Sequence, residues 1–294
     1  MIATSSSADL PLDYFERHDI PFLCYSYVID GKEYADDLFQ TQSAAEFYGK
    51  IDAGAMPTTS QINVARYIDF LEPFLAQGTD VLFLELSHNL SGAYQNALTA
   101  ARELREKYPE RSLHILDCLC LSGGQGMLLD AMVDLRDSGA SMDDIHSWVL
   151  ENRLRLQAWG FTTDLSHFKR GGRISTASAV ISGLLNIYPV LLVNREGQLL
   201  SGKKLRGKKN AFQEMLTLME AHAENGRDYS GKCFVSHSDR EADANELAKL
   251  VAANFPKVQQ PILVHTIGGV LGSHSGPGTV AFFFWGDERL DSNG

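Results

Sequence analysis

The chain has 294 residues, 44% of them hydrophobic, and 37 acidic against 26 basic side chains give a formal net charge of −11. This length is sufficient for two domains with a sizeable core, and the negative charge argues against a nucleic-acid partner, whose phosphates are also negative. The N-terminus does not resemble a signal peptide, and no apolar run approaches the ~20 residues of a membrane span. We therefore expect a cytoplasmic protein without stable membrane insertion.

The first half of the chain alternates between predicted strands and helices. Strands are predicted over residues 22–29, 81–86 and 113–116. Helices are predicted over residues 43–54, 63–77, 93–108 and 123–139, and a further one begins at residue 141. The spacings of Ser43 with Glu46 and of Ser141 with Asp144 mark helix starts, and Asp30-Gly31 marks a turn. Such alternation is typical of a parallel sheet with helices on its faces.

The second half predicts a mixed sheet. Strands are predicted over residues 161–163, 189–193, 232–236, 262–265 and 280–285. Helices are predicted over residues 177–187, 211–224 and 241–254, and glycine-rich loops over residues 169–173 and 268–278. The predicted fold class is α/β, with an N-terminal parallel-sheet α/β/α sandwich (residues 1–160) and a C-terminal mixed-sheet α/β domain (residues 161–294).

Four polar loops carry the candidate binding residues, at residues 57–61, 87–92, 169–175 and 273–278. In a parallel sheet, ligands bind beyond the carboxyl ends of the strands, where the loop 87–92 is expected. Hydroxyls beside free amides at a helix start suit an anion, and Gly92 would let a ligand approach the backbone. The alternative is that Thr59, Ser60 and Ser91 are helix N-caps.

Arg173 and His274 are the candidate charged and titratable contacts. An arginine can hold a carboxylate through two parallel hydrogen bonds, although Arg173 could equally be a solvated surface residue. Small residues surround His274, which is consistent with a close-approach loop as well as with a structural histidine.

Taken together, these loops resemble the DegV family of bacterial lipid-binding proteins. The matching segments are Thr59-Ser60-Gln61, Leu90-Ser91-Gly92-Ala93-Tyr94-Gln95, Gly172-Arg173-Ile174, Lys204-Leu205-Arg206-Gly207-Lys208-Lys209 and Gly272-Ser273-His274-Ser275-Gly276-Pro277-Gly278. They occur in the family's order, at its approximate separations, and span nearly the whole chain.

The resemblance implies two α/β domains that enclose a long-chain fatty acid between them, in a non-catalytic protein with no cofactor of its own. A separate fatty acid kinase subunit would phosphorylate the presented carboxylate with ATP and magnesium. By the resemblance, the carboxylate site comprises Thr59, Ser60, Ser91, Gly92, Arg173, His274 and Ser275. The kinase would dock on Lys204, Arg206 and Lys208, with Arg206 as the main contact, although a basic run can also be a solvated face.

The chain departs from the family pattern at three points. Ser5 stands where the family usually has Asp, Ile62-Asn63 replaces Pro-Ser, and Ser275 stands where Thr is common. The first departure puts in question the support around the head group. None of the three removes an expected carboxylate contact.

A fatty acid tail needs a dry tunnel, because each buried methylene contributes ~0.8 kcal/mol. The candidate tunnel residues, each of which could instead be ordinary core, are Leu84, Leu86, Phe161, Ile174, Ile181, Leu184, Leu185, Ile267 and Leu271.

Two other function classes remain open. A serine hydrolase could use Ser91 and His274, although the G-x-S-x-G elbow is absent. A nucleotide-binding enzyme could use Gly123-Gly124-Gln125-Gly126, which lacks the lysine of a phosphate-binding loop. A metal site is not expected, because only Cys118 and Cys120 are closely spaced.

Overall fold

A computed structural model describes residues 1–174, 186–289 and 291 of the chain. Its first-half elements are β1 (Ile2–Ser5), α1 (Leu12–Arg17), β2 (Phe22–Leu23), β3 (Ser26–Ile29), β4 (Lys32–Ala35), α2 (Ala44–Asp52), β5 (Thr58–Ser60), α3 (Val64–Ala76), β6 (Val81–Glu85), α4 (Ala93–Lys107), β7 (Leu113–Asp117), α5 (Gly123–Asp137) and α6 (Met142–Asn152). Those of the second half are β8 (Leu156–Phe161), α7 (Ser166–Arg170), β9 (Ile187–Val193), β10 (Leu199–Arg206), α8 (Lys208–His222), β11 (Cys233–His237), α9 (Glu241–Asn254), β12 (Leu263–Thr266), α10 (Gly269–Ser275) and β13 (Val280–Trp285).

The N-terminal sheet is parallel throughout, in the order β2-β1-β6-β7. All five residues of β6 are buried, as expected for a central strand covered on both faces. The predicted parallel-sheet half is therefore confirmed. The sheet's carboxyl edge supplies two loops to the site described below.

A small antiparallel sheet, β4-β3-β5, stands beside the parallel one. Asp30 and Gly31, both with positive φ, join β3 to β4 as the predicted turn. Strand β5 places Thr59 opposite Tyr27. The N-cap alternative for Thr59 and Ser60 is therefore wrong, since both lie on a strand.

The C-terminal sheet has six strands in the order β10-β9-β8-β13-β11-β12. Of the strand pairs that the structure describes in this sheet, β11–β12 is parallel and the others are antiparallel, so the predicted mixed sheet is confirmed. Helix α5 contacts strands of both large sheets, and α8 and α9 pack on the C-terminal sheet. The predicted domain boundary at residue 160 falls inside β8, which belongs to this sheet, and the division into two domains stays a prediction.

Local capping chemistry explains the helix starts. Ser43 and Ser141 form the predicted capping boxes with Glu46 and Asp144, and the Asn63 side chain caps α3. The glycines that open α5 have a packing role. A Cβ on Gly123 would lie 2.6 Å from Ser236 Oγ, and one on Gly126 would lie 2.7 Å from a backbone oxygen. These glycines therefore allow close helix packing, which argues against a phosphate loop.

Several predicted bounds are wrong. Residues 22–29 form two strands in different sheets, and the strand predicted at 161–163 ends at Phe161. The predicted loops 169–173 and 268–278 contain the end of α7 and the whole of α10. The basic run does not simply precede a helix, because it is divided between β10 and the start of α8. Most of the helix predicted at 177–187 lies outside the described residues.

Candidate ligand-binding site

A cavity of about 320 Å³ lies between the C-terminal sheet and the loops at the carboxyl edge of the N-terminal sheet. Residues of β8, β9, β10 and β13 line one side. Strand β5, helix α10 and the loops after β6 and β7 line the other. Its volume is at the lower end of the ~300–1,000 Å³ typical of small-molecule sites.

The sheet side of the cavity is apolar. Ala158 lies opposite Phe283 in the strand register, and Gly160 lies opposite Leu191; all four line the cavity. Among the predicted tail residues, Leu86, Ile267 and Leu271 also line it. Leu84, Phe161 and Ile174 are instead buried core residues away from the cavity lining, whereas Ile181, Leu184 and Leu185 lie outside the described residues.

Polar side chains from separate elements meet at this cavity. Six of the seven predicted head-group residues line it: Thr59, Ser60, Ser91, Arg173, His274 and Ser275. Gly92 does not line the cavity; it is the N-cap of α4. A Cβ at Gly92 would overlap the amide oxygen of Gln61, so this glycine makes room for Gln61 rather than for a ligand.

Thr59 and His274 form a direct pair across the cavity wall. Thr59 Oγ1 lies 2.8 Å from His274 Nε2, whereas His274 Nδ1 is buried without a hydrogen-bond partner among the described residues. Burial, together with the nearby Arg173 and Arg170, lowers the pKa of His274 to about 4. The imidazole is therefore neutral near pH 7, so the positive charge here comes from arginine.

Arg173 is exposed and joins two of the loops. Its Nε donates to the carbonyl oxygen of Leu90 at 3.2 Å, and its Nη1 donates to that of Gly171. A guanidinium has five N–H donors, so these bonds leave others available to a carboxylate.

Ser91 lies at the start of α4, where its Oγ accepts a hydrogen bond from the amide of Ala93 at 3.2 Å. Its hydroxyl also acts on Tyr25, whose pKa it lowers against the larger effect of burial. Ser91 is therefore only partly a capping residue, because its hydroxyl also interacts with a cavity side chain.

The sequence analysis missed the buried acidic group behind Ser91. Glu85, fully buried at the end of β6, accepts hydrogen bonds from the hydroxyls of Ser5 (2.7 Å), Tyr25 (2.9 Å) and Tyr67 (2.5 Å) and from the Leu86 amide (2.8 Å). Burial raises the pKa of Glu85, and these donors oppose that rise. A single acidic residue within the apolar run 81–86 was the available signal. The sequence patterns also did not identify Tyr25, Gln61 and Ser122 as site residues, although all three line the cavity.

The predicted docking residues lie on β10 and α8. Lys208 pairs with Asp243 at 2.9 Å and with Glu246 at 3.4 Å, so its charge is partly compensated within the chain. Arg206 is the last residue of β10 and is exposed. Their role in docking stays a prediction.

The geometry is unfavourable for the hydrolase alternative. His274 Nε2 is hydrogen-bonded to Thr59, and no acidic side chain in the described part of the protein orients its Nδ1. A histidine with a pKa of about 4 is also a weak base at neutral pH. In the described residues, no helix is both long and apolar enough to cross a membrane.

Comparisons with known proteins cover nearly the full chain. A family model described as "Uncharacterised protein, DegV family" matches residues 1–287. A DegV domain-containing protein of Clostridium perfringens is 38% identical over 289 residues, 98% of each chain. A DegV family protein from Thermus thermophilus, whose structure is described as showing fatty acid binding, is 29% identical with a TM-score of 0.86, over 98% of this chain and 99% of its own. A fatty acid binding DegV family protein from Streptococcus agalactiae is 28% identical with a TM-score of 0.80, over 98% of each chain.

Proposed function

Since the chain belongs to the DegV family, we propose that it encloses one long-chain fatty acid and presents the carboxyl group to a separate kinase. The observation that carries this proposal is one cavity with hydroxyl, arginine and histidine side chains together at one part and strand-borne apolar side chains along another. The relatives from Thermus thermophilus and Streptococcus agalactiae are described as fatty acid binding, which supports the same ligand class.

The carboxyl group is held by Thr59, Ser91 and Arg173. His274 sets the direction of the Thr59 hydroxyl: with the proton on Nε2, the imidazole donates to Thr59 Oγ1 and leaves the threonine proton free for the ligand. The other tautomer would bury an N–H on Nδ1 that has no acceptor within residues 1–174 and 186–289, which costs free energy. His274 is therefore a positioning group for Thr59.

The tail occupies the apolar side of the cavity, against Ala158, Gly160 and Leu191. Burial at ~0.8 kcal/mol per methylene supplies on the order of 10 kcal/mol for a long chain before the costs of association. Hydrogen bonds at the head group fix the acid's orientation, since an unpaired buried carboxylate would cost several kcal/mol.

A partner kinase then transfers phosphate from ATP to the presented carboxyl oxygen and forms an acyl phosphate. The exposed Arg173 at the head group and the basic residues Lys204, Arg206 and Lys208 suit an approaching acidic or phosphate-bearing surface. This chain itself supplies binding and orientation and performs no group transfer.

Mass spectrometry of lipid extracted from the purified protein tests the binding step. The wild-type chain should carry a fatty acid in about a one-to-one ratio. Thr59→Val and Ser91→Ala should each weaken binding roughly tenfold to a hundredfold, because each removes one hydrogen bond to a charged or partly charged group. Thr99→Val, which alters a hydroxyl on α4 outside the cavity lining, should bind like the wild type.

The same proteins, mixed with a fatty acid kinase subunit, ATP and Mg²⁺, test the presentation step through acyl phosphate formation. Absence of lipid from the wild-type chain, with no binding of added fatty acid, would reject the function. Bound lipid that no such kinase phosphorylates would reject the presentation step alone.

A further inference from the structure

The side chains of Ser91, Tyr25 and Glu85 lead from the cavity into the N-terminal core. Ser91 and Tyr25 both line the cavity, and the Tyr25 hydroxyl donates to Glu85 at 2.9 Å. Glu85 is fully buried and does not line the cavity. Tyr25 therefore lies between a ligand in the cavity and Glu85.

Glu85 determines the direction of the hydrogen bonds that lead to it. Ser5, Tyr67 and the Leu86 amide also donate to Glu85, so its carboxyl group is surrounded by donors and acts as an acceptor. Tyr25 must therefore point its proton towards Glu85, which leaves its oxygen free to accept a hydrogen bond from Ser91 or from a ligand. A Ser91 hydroxyl that donates to Tyr25 can in turn accept a hydrogen bond from a ligand.

An ionised fatty acid in the cavity would bring a second carboxylate close to the buried Glu85. In the described part of the chain, Glu85 forms no ion pair, and the titratable groups that face it are Tyr25, Tyr67 and Cys118. Burial raises the pKa of each of these three above its usual value, so all are neutral. His274 is neutral as well, and the nearby arginines, Arg173 and Arg170, are both exposed, so Glu85 has no buried counter-ion among the described residues.

We propose that Glu85 is a positioning residue that couples fatty acid binding to the uptake of one proton, through Tyr25 and Ser91; this inference rests on the proposed function. The proton is shared along a series of three hydrogen bonds. The ligand's O–H donates to Ser91, Ser91 donates to Tyr25, and Tyr25 donates to Glu85. Proton transfer along these hydrogen bonds converts the bound fatty acid into a carboxylate and the Glu85 carboxylate into a carboxylic acid. The bound carboxylate can then act as a nucleophile, and its proton is held by Glu85 instead of being released to solvent.

Titration calorimetry of the delipidated protein with decanoate, in phosphate and in Tris buffer at pH 7.5, measures the protons exchanged on binding. The two buffers differ in ionisation enthalpy, so the difference in heat counts protons. The wild type should take up about one proton per ligand, and its affinity should fall by up to tenfold per pH unit as the pH rises.

Glu85→Gln and Tyr25→Phe should reduce the proton uptake to about zero and flatten the pH profile. The matched control is Tyr67→Phe, which removes another hydroxyl donor to Glu85 but does not line the cavity, and it should keep the wild-type proton count. If Glu85→Gln does not fold, Tyr25→Phe with its control still decides the question.

Binding by the wild type without proton uptake would overturn this inference and leave the proposed function intact. An unchanged proton count in Tyr25→Phe would also overturn it. If the wild type gives no binding with decanoate or with longer fatty acids, the proposed function itself fails.

Discussion

Ser5 shows how one substitution can be offset elsewhere in the same buried cluster. The resemblance expects an acidic residue at this position, and the structure instead places the Glu85 carboxyl 2.7 Å from the Ser5 hydroxyl. An aspartate at position 5 would bring two carboxyl groups together in a site shielded from water. The chain thus has one buried acid at this point, contributed by a different strand.

We expect Ser5→Asp to lower the free energy of unfolding by several kcal/mol, because two buried carboxylates repel and one must take up a proton. In a Glu85→Gln background the same change should cost much less, because the glutamine amide can donate to the new aspartate. Urea unfolding of the four proteins in this double-mutant cycle gives the coupling, which we expect to exceed ~1.5 kcal/mol. Additive effects would show that positions 5 and 85 do not interact in this way.

At the scale of whole elements, helix packing depends on where glycines leave room for a neighbouring element. Gly126 lies on α5, where a Cβ would sit 2.7 Å from the Ala8 carbonyl oxygen and 2.9 Å from Leu10. Gly49 lies inside α2, and a Cβ there would meet no described atom within 4 Å. The two glycines therefore differ in tertiary environment although both are helical.

Gly126→Ala should destabilise the protein by about 1–3 kcal/mol, because the added methyl group overpacks the contact between α5 and the N-terminal sheet region. Gly49→Ala should stabilise it by about 0.5–1 kcal/mol, because alanine loses less backbone entropy in a helix interior. Urea midpoints of the two variants measure both effects. A gain in stability for Gly126→Ala would show that this contact can relax at little cost.

Element prediction from sequence succeeded where local chemistry decides the structure. The predicted bounds of β13 and α9 match the structure, and both capping boxes form, because apolar runs and cap side chains act locally. Helix α10 was missed because its glycines, which favour loops in isolation, are held by tertiary contacts: the Gly268 and Gly269 amides donate to Asp9 and Asp36.

The polar lining of the candidate cavity was predictable to a similar extent and for a related reason. Hydroxyls and glycines in loops pointed to Thr59, Ser91 and His274, which do line the cavity, whereas their role in binding stays a prediction. Glu85 could not be assigned because its partners come from residues 5, 25 and 67, and only the fold brings these positions together.

At the scale of the whole molecule, buried titratable groups join the two halves of the chain. Asp9 accepts from the Gly268 amide at 2.9 Å, and Asp36 accepts from the Gly269 amide at 2.8 Å. His265 Nδ1 donates to the Asp9 carbonyl oxygen, and its Nε2 lies 2.8 Å from Ser236 Oγ. The contact between the halves therefore includes both carboxyl and imidazole groups without water access.

These groups should make stability depend on pH in opposite directions. Burial lowers the pKa of His265 to about 4 from 6.5, so its contribution is complete above about pH 6.5 and is lost as the pH falls towards 4. Burial raises the pKa of Asp36 to about 6 from 3.8, so its contribution grows as the pH falls over that range and is lost as the pH rises through 6. Burial also raises the pKa of Asp9.

We expect the free energy of unfolding between pH 6.5 and 4 to fall less steeply in His265→Asn than in the wild type, and more steeply in Asp36→Asn. Each difference should be at most roughly 3 kcal/mol over the whole range, at 1.36 kcal/mol per unit of pKa shift. Urea unfolding in half-unit pH steps measures the slopes, which are independent of any stability that a variant loses at every pH. Parallel curves for the three proteins would mean that neither group titrates differently in the folded and unfolded chain, and the contact between the halves would then be held by its hydrogen bonds alone.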